Sequence, residues 1–225
     1  MNGLLRFLKI VYFRHRNSQK RIIFKDACYF TTSKTHYNYP YFRERIFCDL
    51  FVENLRICKQ LKGFLLYGWV LNYDHFHLLI QPNDKWDISD VMQFLKRNVS
   101  RNINFIMGYN ENDEQNLFKI DGTPPSSEGD NDHCRLPSEV GLDIVQHIKI
   151  KLLLKFRFKI KYLNNNPYPL FKWQKSFFDE YMRNENEFNN FLDYIDYNPT
   201  KHHLPKNWPY IYTNPEYEGL NDEIL

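Results

Sequence analysis

The sequence predicts an α+β domain, a ferredoxin-like antiparallel sheet with helices on one face and an added C-terminal helix. Three observations carry this. Trp69–Pro82, WVLNYDHFHLLIQP, is an apolar run broken only by Asn72, Tyr73 and Asp74, so it reads as a tight antiparallel hairpin. Two stretches with 3.6-residue apolar periodicity flank that hairpin. A short strand and a capped helix follow late in the chain, which completes a β-α-β-β-α-(insert)-β-α order.

The elements follow in order. Cys28–Thr35 is β-rich and forms the first strand, and Asn38–Pro40 is a turn. Arg43–Leu61 places Ile46, Phe47, Leu50, Phe51, Leu55, Ile57 and Cys58 on one helical face, with Gly63 as its stop. Phe64–Leu71 and His75–Gln81 are the hairpin strands. Asp87 or Ser89 caps a helix that runs to about Met107. Its apolar side holds Val91, Phe94, Leu95, Val99 and Ile103, and its other side holds Lys96, Arg97 and Arg101. Residues 108–166 read as an insertion. Its part Tyr109–Leu136 is polar and reads as loop, while Leu142–Tyr162 reads either as a basic amphipathic helix or as two strands. Phe177–Met182 is a fourth strand. Asn184 caps a last helix with Glu185 and Glu187 in its first turn. Pro199 ends that helix at Asn198 or shortly before, and a Pro- and Tyr-rich tail follows.

Length and composition set the frame. The 225 residues fit a single domain, 1–225, with enough chain for a real core. Aromatics make up 17%, from 19 Phe and 16 Tyr, which an AT-rich coding bias explains for most positions and base stacking for some. Net charge is only +3, but it is unevenly spread. The leader 1–25 carries seven Lys and Arg and no acid, and Lys149–Lys161 carries six and no acid. Such blocks suit a polyanion, or else a solvated basic face. The four cysteines show no CxxC spacing, so the expected compartment is the reducing cytoplasm. Neither a convincing signal peptide nor a membrane span is expected.

The chemistry sits at His75-Phe76-His77. Strand side chains alternate between faces, so the two imidazoles point one way, onto a sheet face expected to be open to a site, and Phe76 the other. Such a pair can hold one metal ion; it can also be a satisfied core histidine beside a solvated one. On the last helix, Tyr194 and Asn198 are four apart and share a face, whereas Tyr197 points about 100° away from Asn198. Two imidazoles and one amide oxygen suit Mg²⁺ or Mn²⁺. A tyrosine can act as a covalent nucleophile, helped by a cation that neutralises a phosphate; packing is the commoner role for a tyrosine.

Asp193–Leu204, DYIDYNPTKHHL, resembles the YIxxNPVKxGL signature of the REP-associated tyrosine transposases, within the single-tyrosine HUH transposases. WQKSFFDEYMR, at 173–183, resembles the family block that precedes it. Trp69–Ile80 resembles the WVVMPNHxHLL block, and MQFLKRNVSRNIN, at 92–104, the helix between. The resemblance covers roughly Cys28–Ile106 and Phe171–Tyr210.

The resemblance implies an enzyme that cleaves and rejoins single-stranded DNA near hairpins through a 5′-phosphotyrosine, with Tyr194 as nucleophile. It implies His75, His77 and Asn198 as metal ligands, and a monomer rather than a swapped dimer. Lys96, Arg97, Arg101, Arg183 and Lys201 are the expected phosphate contacts. Departures are Tyr73, Asp74, Thr200 and His203, which stand where Pro, Asn, Val and Gly are usual, and the 108–166 insert. A DNA-binding protein kept by a host with its cleavage lost is the other reading considered, as is a phosphoesterase that uses water.

Overall fold

A computed structural model describes residues 11–12, 22–24, 27–109 and 138–214. The strands are β1 (Val11–Tyr12), β2 (Ile22–Ile23), β3 (Tyr29–Lys34), β4 (Leu65–Leu71), β5 (His75–Gln81), β6 (Phe178–Tyr181) and β7 (Ile211–Thr213). The helices are α1 (Arg45–Lys62), α2 (Ile88–Ile106), α3 (Ser138–Tyr162) and α4 (Glu185–Lys201). Most of the 1–25 leader and of the Tyr109–Leu136 loop lies outside the described residues.

Five strands form one sheet in the order β6-β3-β5-β4-β7, and every neighbouring pair is antiparallel. β3-α1-β4 is the split unit, with β5 inserted between its strands, so the ferredoxin-like expectation holds. β1 and β2 pair separately.

The local sequence explains the element ends. Gly63 caps α1 at φ 61°, in the left-handed region where a Cβ is strained. Asp87 caps α2, and Asp90 returns the bond to the Asp87 N–H, closing a capping box. Asn184 caps α4 through Glu187 N–H.

The sheet has two unequal faces. Tyr29, Trp69, Leu71, Phe76, Leu78 and Ile80 point to α1 and α2 and join a large core with Phe47, Phe51, Leu95 and Val99. Burying each such side chain contributes about 1.5–3 kcal/mol. α3 packs on α1 and α2 as a third layer, with Leu154 and Phe158 in the same core. Leu142–Tyr162 is thus helical. Its buried polar link is His147 Nδ1 with Glu53 Oε1 at 3.0 Å, where Arg56 also pairs with Glu53. Lys151 is buried too, and burial followed by the Arg101 charge pushes its pKa down to about 8.

Two expectations need correction. The last helix does not stop at Asn198 but runs through Pro199 to Lys201. The proline sits in the final turn, and the His202 and Leu204 amides cap the Asn198 and Pro199 carbonyls. The histidine face of the sheet is also not open, because α4 covers it.

Candidate active site

α4 lies on the face formed by Phe30, Val70 and Leu79, and docks through Phe188, Leu192 and Ile195. Gly68 allows the close approach. A Cβ there would stand 3.2 Å from Ile195 Cδ1, 3.3 Å from Leu192 Cδ2 and 3.3 Å from the Tyr212 carbonyl. That contact places Tyr194 and Asn198 against the histidines of β5.

His75 and His77 share this face, with ring centroids 5.0 Å apart, and are 5% and 4% exposed. Each ring is fixed by a partner on Nδ1. His75 Nδ1 meets Asp74 Oδ1 at 2.6 Å. His77 Nδ1 meets Oγ1 of Thr32, its cross-strand neighbour, at 2.7 Å. The Asp74 carboxylate only accepts, so it places the His75 proton on Nδ1 and aims Nε2; the Thr32 hydroxyl can donate or accept and orients the His77 ring. With the His75 proton on Nδ1, its Nε2 accepts from Asn72 Nδ2 at 3.1 Å. Asn72 Nδ2 also donates to Asn198 Oδ1 at 2.6 Å. His77 Nε2 is buried and has no partner among the described residues.

Electrostatics keep this pocket rich in lone pairs. Burial, then the charges of His75, His202, Lys201 and Lys34, pushes the His77 pKa down to about 2. Burial raises Asp74, but the His75 hydrogen bond together with the His75 and Lys34 charges outweighs this and holds its carboxyl below the usual range.

Tyr194 is half-buried. Its ring stands edge-on to His77 at 5.3 Å and to Phe30 at 5.7 Å. Lys201, one helical turn pair further on, donates from Nζ to the Tyr194 hydroxyl at 3.4 Å. Tyr197 is 61% exposed. The structure therefore brings His75, His77, Asn198, Tyr194 and Lys201 together.

The other basic residues are elsewhere. Lys96, Arg97 and Arg101 lie on α2, across the sheet from this cluster. Lys96 Nζ donates to the Gln174 and Ser176 carbonyls, and Arg97 is exposed. Arg183, just before α4, is offset by Glu180 at 3.7 Å and Glu187 at 3.4 Å.

Sequence reasoning missed Thr32, Asn72 and His202. Cross-strand register, which no local pattern encodes, brings in Thr32. Asn72 reads as a turn residue. His202 lies 4.8 Å from His75 by ring centroids, directly after α4, in a stretch that reads as helix end.

A divalent cation fits the residues present. The orphaned His77 Nε2, the His75 Nε2 lone pair and the Asn198 amide oxygen make an imidazole and amide donor set. Among the described residues no three His, Cys, Asp or Glu side chains form a metal cluster, so the amides are needed to complete it.

The fold and this cluster define an antiparallel-sheet protein with a histidine pair under a tyrosine-bearing helix. Residues 29–119 match the family model of the IS200-like transposases, so the resemblance read from the motifs is met over that segment. The match holds β3, α1, β4, β5 and α2 with the histidine pair; α4 lies beyond it. Among solved structures, one titled as a REP-associated tyrosine transposase bound to a REP hairpin is similar at 16% identity and a TM-score of 0.43. That alignment covers 87% of this chain and 81% of the other. No curated protein matches the chain.

Proposed function

We propose that this protein is a transposase-type enzyme that cleaves and rejoins single-stranded DNA through Tyr194. The observation that carries this reading is the meeting of Tyr194, on α4, with the buried His75, His77 and Asn198 cluster of the matched segment.

In this reading the Tyr194 oxygen attacks a backbone phosphorus and the bond from phosphorus to the 3′-oxygen breaks. The products are a 5′-phosphotyrosine and a free 3′-hydroxyl, which takes up the proton that Tyr194 loses. Attack by a 3′-hydroxyl on that linkage reverses the step and releases the tyrosine. Lys201 Nζ, hydrogen-bonded to the Tyr194 oxygen, stabilises the negative charge on that oxygen as it enters or leaves. Phe30 and His77 fix the ring. His75, His77 and Asn198 would hold Mg²⁺ or Mn²⁺, which supplies charge neutralisation at the scissile phosphate. Arg97 is an exposed cation available to other phosphates, so binding weakens with salt. The enzyme acts as a monomer.

The test is a denaturing gel with a labelled hairpin oligonucleotide that carries a single-stranded tail, in Mn²⁺. A covalent adduct is expected with the parent protein and with Tyr197→Phe, and none with Tyr194→Phe, whose hairpin binding stays near parent level. An adduct in Tyr194→Phe that disappears in Tyr197→Phe overturns the assignment. Binding without any adduct in the parent makes the protein a non-catalytic DNA binder.

A further inference from the structure

Asn72 sits at the centre of the polar cluster, 1% exposed, in the tight connection between β4 and β5. Its Nδ2 donates to two groups that are themselves cation donors, His75 Nε2 at 3.1 Å and Asn198 Oδ1 at 2.6 Å. One NH₂ group thus satisfies two lone pairs at once, which is what a cation at that place would do. Its other atom, Oδ1, is buried and has no partner among the described residues. The same holds for His77 Nε2 and for Asn198 Nδ2. Three orphaned polar atoms lie together in one buried cluster, and each leaves its desolvation cost unrepaid. Such a cost, concentrated at one place, marks a site that a ligand completes.

We infer that Asn72 is a fourth donor of the divalent-cation site, through its own amide oxygen. This rests on the metal reading given above and extends it to a residue outside the histidine pair and α4. Without a cation, the Asn72 NH₂ holds the His75 and Asn198 lone pairs toward one point and so keeps the site assembled. A half-turn of the carboxamide about its terminal torsion exchanges NH₂ for the orphaned oxygen, with no backbone movement, because that torsion is soft and roughly two-fold. The donor set then becomes two imidazole nitrogens and two amide oxygens. That set is harder than a pure imidazole set and shifts the preference from Zn²⁺ toward Mn²⁺. It also explains why a buried asparagine occupies a turn that a smaller residue would fill without orphaned atoms.

The experiment measures cation binding on the full-length protein without DNA. Free Mn²⁺ is followed by electron paramagnetic resonance for the parent, His77→Ala, Asn72→Leu and Asn72→Asp, and folding of each is checked by circular dichroism. The parent is expected to bind one Mn²⁺, and His77→Ala to lose it. Asn72→Leu, nearly the same size, should bind at least about 10-fold more weakly. Asn72→Asp, with an oxygen on both arms, should bind more tightly, and its Mn²⁺:Zn²⁺ preference should rise. The visible spectrum of the Co²⁺ form should change in Asn72→Leu, a signature that loss of packing alone does not produce. Asn72→Leu with parent affinity and an unchanged Co²⁺ spectrum overturns the role of Asn72 while leaving the metal reading intact. If Asn72→Leu fails to fold, Asn72→Asp decides: affinity at or below the parent's overturns the inference. A parent that binds no Mn²⁺ overturns both.

Discussion

At the scale of single residues, the site separates two kinds of histidine role. Burial and surrounding positive charge disfavour protonation of His77, so its ring is kept neutral, the form that can ligate a metal. His75 depends instead on Asp74, whose carboxylate fixes its ring. His75→Ala and His77→Ala are each expected to abolish cleavage in Mn²⁺ while the circular dichroism spectrum stays that of a folded protein. Persisting cleavage of the hairpin substrate in EDTA would remove the metal from the reading. The residues near the chemistry were partly legible in the chain. The period-two spacing of His75 and His77 and the four-residue spacing of Tyr194 and Asn198 are local patterns, and they put each pair on one face. Asn72 and Thr32 were not legible, because their roles come from side-chain contacts across strands and helices distant in sequence.

At the scale of elements, α4 owes its place to a missing side chain on β4. Gly68→Val inserts carbons into contact with Ile195, Leu192 and the Tyr212 carbonyl. Overpacking of this kind costs about 1–3 kcal/mol. The expected result is a lower thermal midpoint, with a larger loss of adduct formation than of hairpin binding, since Tyr194 rides on the displaced helix. A variant with parent adduct yield and midpoint would show that Gly68 does not set the docking distance. The regular elements were the readable part of the fold, since their caps and stops are written in Gly63, Asp87 and Asn184. Beyond β1 and β2 of the leader, two elements escaped for physical reasons. α3 is apolar on its docked side, at Leu154 and Phe158, and also on its outer side, at Leu152, Phe156 and Ile160, so its helical period is blurred. β7 is three residues long and is defined by pairing with β4, not by its own composition.

At the scale of the whole molecule, the buried contact of Glu53 on α1 with His147 on α3 adds a pH-dependent contribution to the packing of the layers. Burial raises the Glu53 carboxyl, but hydrogen bonds from His147 and Arg56 outweigh it, so the folded value lies below the ordinary 4.5. A carboxyl lowered in the folded state stabilises the protein above its unfolded value, and that stability is lost as pH falls through the folded value. Urea unfolding should therefore show a midpoint that drops as pH falls below the ordinary carboxyl value of 4.5. In Glu53→Gln the drop should be shallower from a lower starting midpoint, because His147 and Arg56 keep only a neutral partner. Equal slopes in both proteins would remove Glu53 from the acid response.

The unequal faces of the sheet have a consequence for how the molecule opens. α1 and α2 are sealed into the large core, whereas α4 is anchored by three buried apolar side chains, Phe188, Leu192 and Ile195. Its detachment exposes far less apolar surface than global unfolding does, so the two events differ in free energy. Native-state hydrogen exchange should resolve them. The α4 amides are expected to exchange through a sub-global opening with weak denaturant dependence, while those of α1, β3 and β5 wait for complete unfolding. The helix that bears Tyr194 is thus expected to be the first cooperative unit to leave the native state, swinging away from the histidines while the sheet that holds them stays intact.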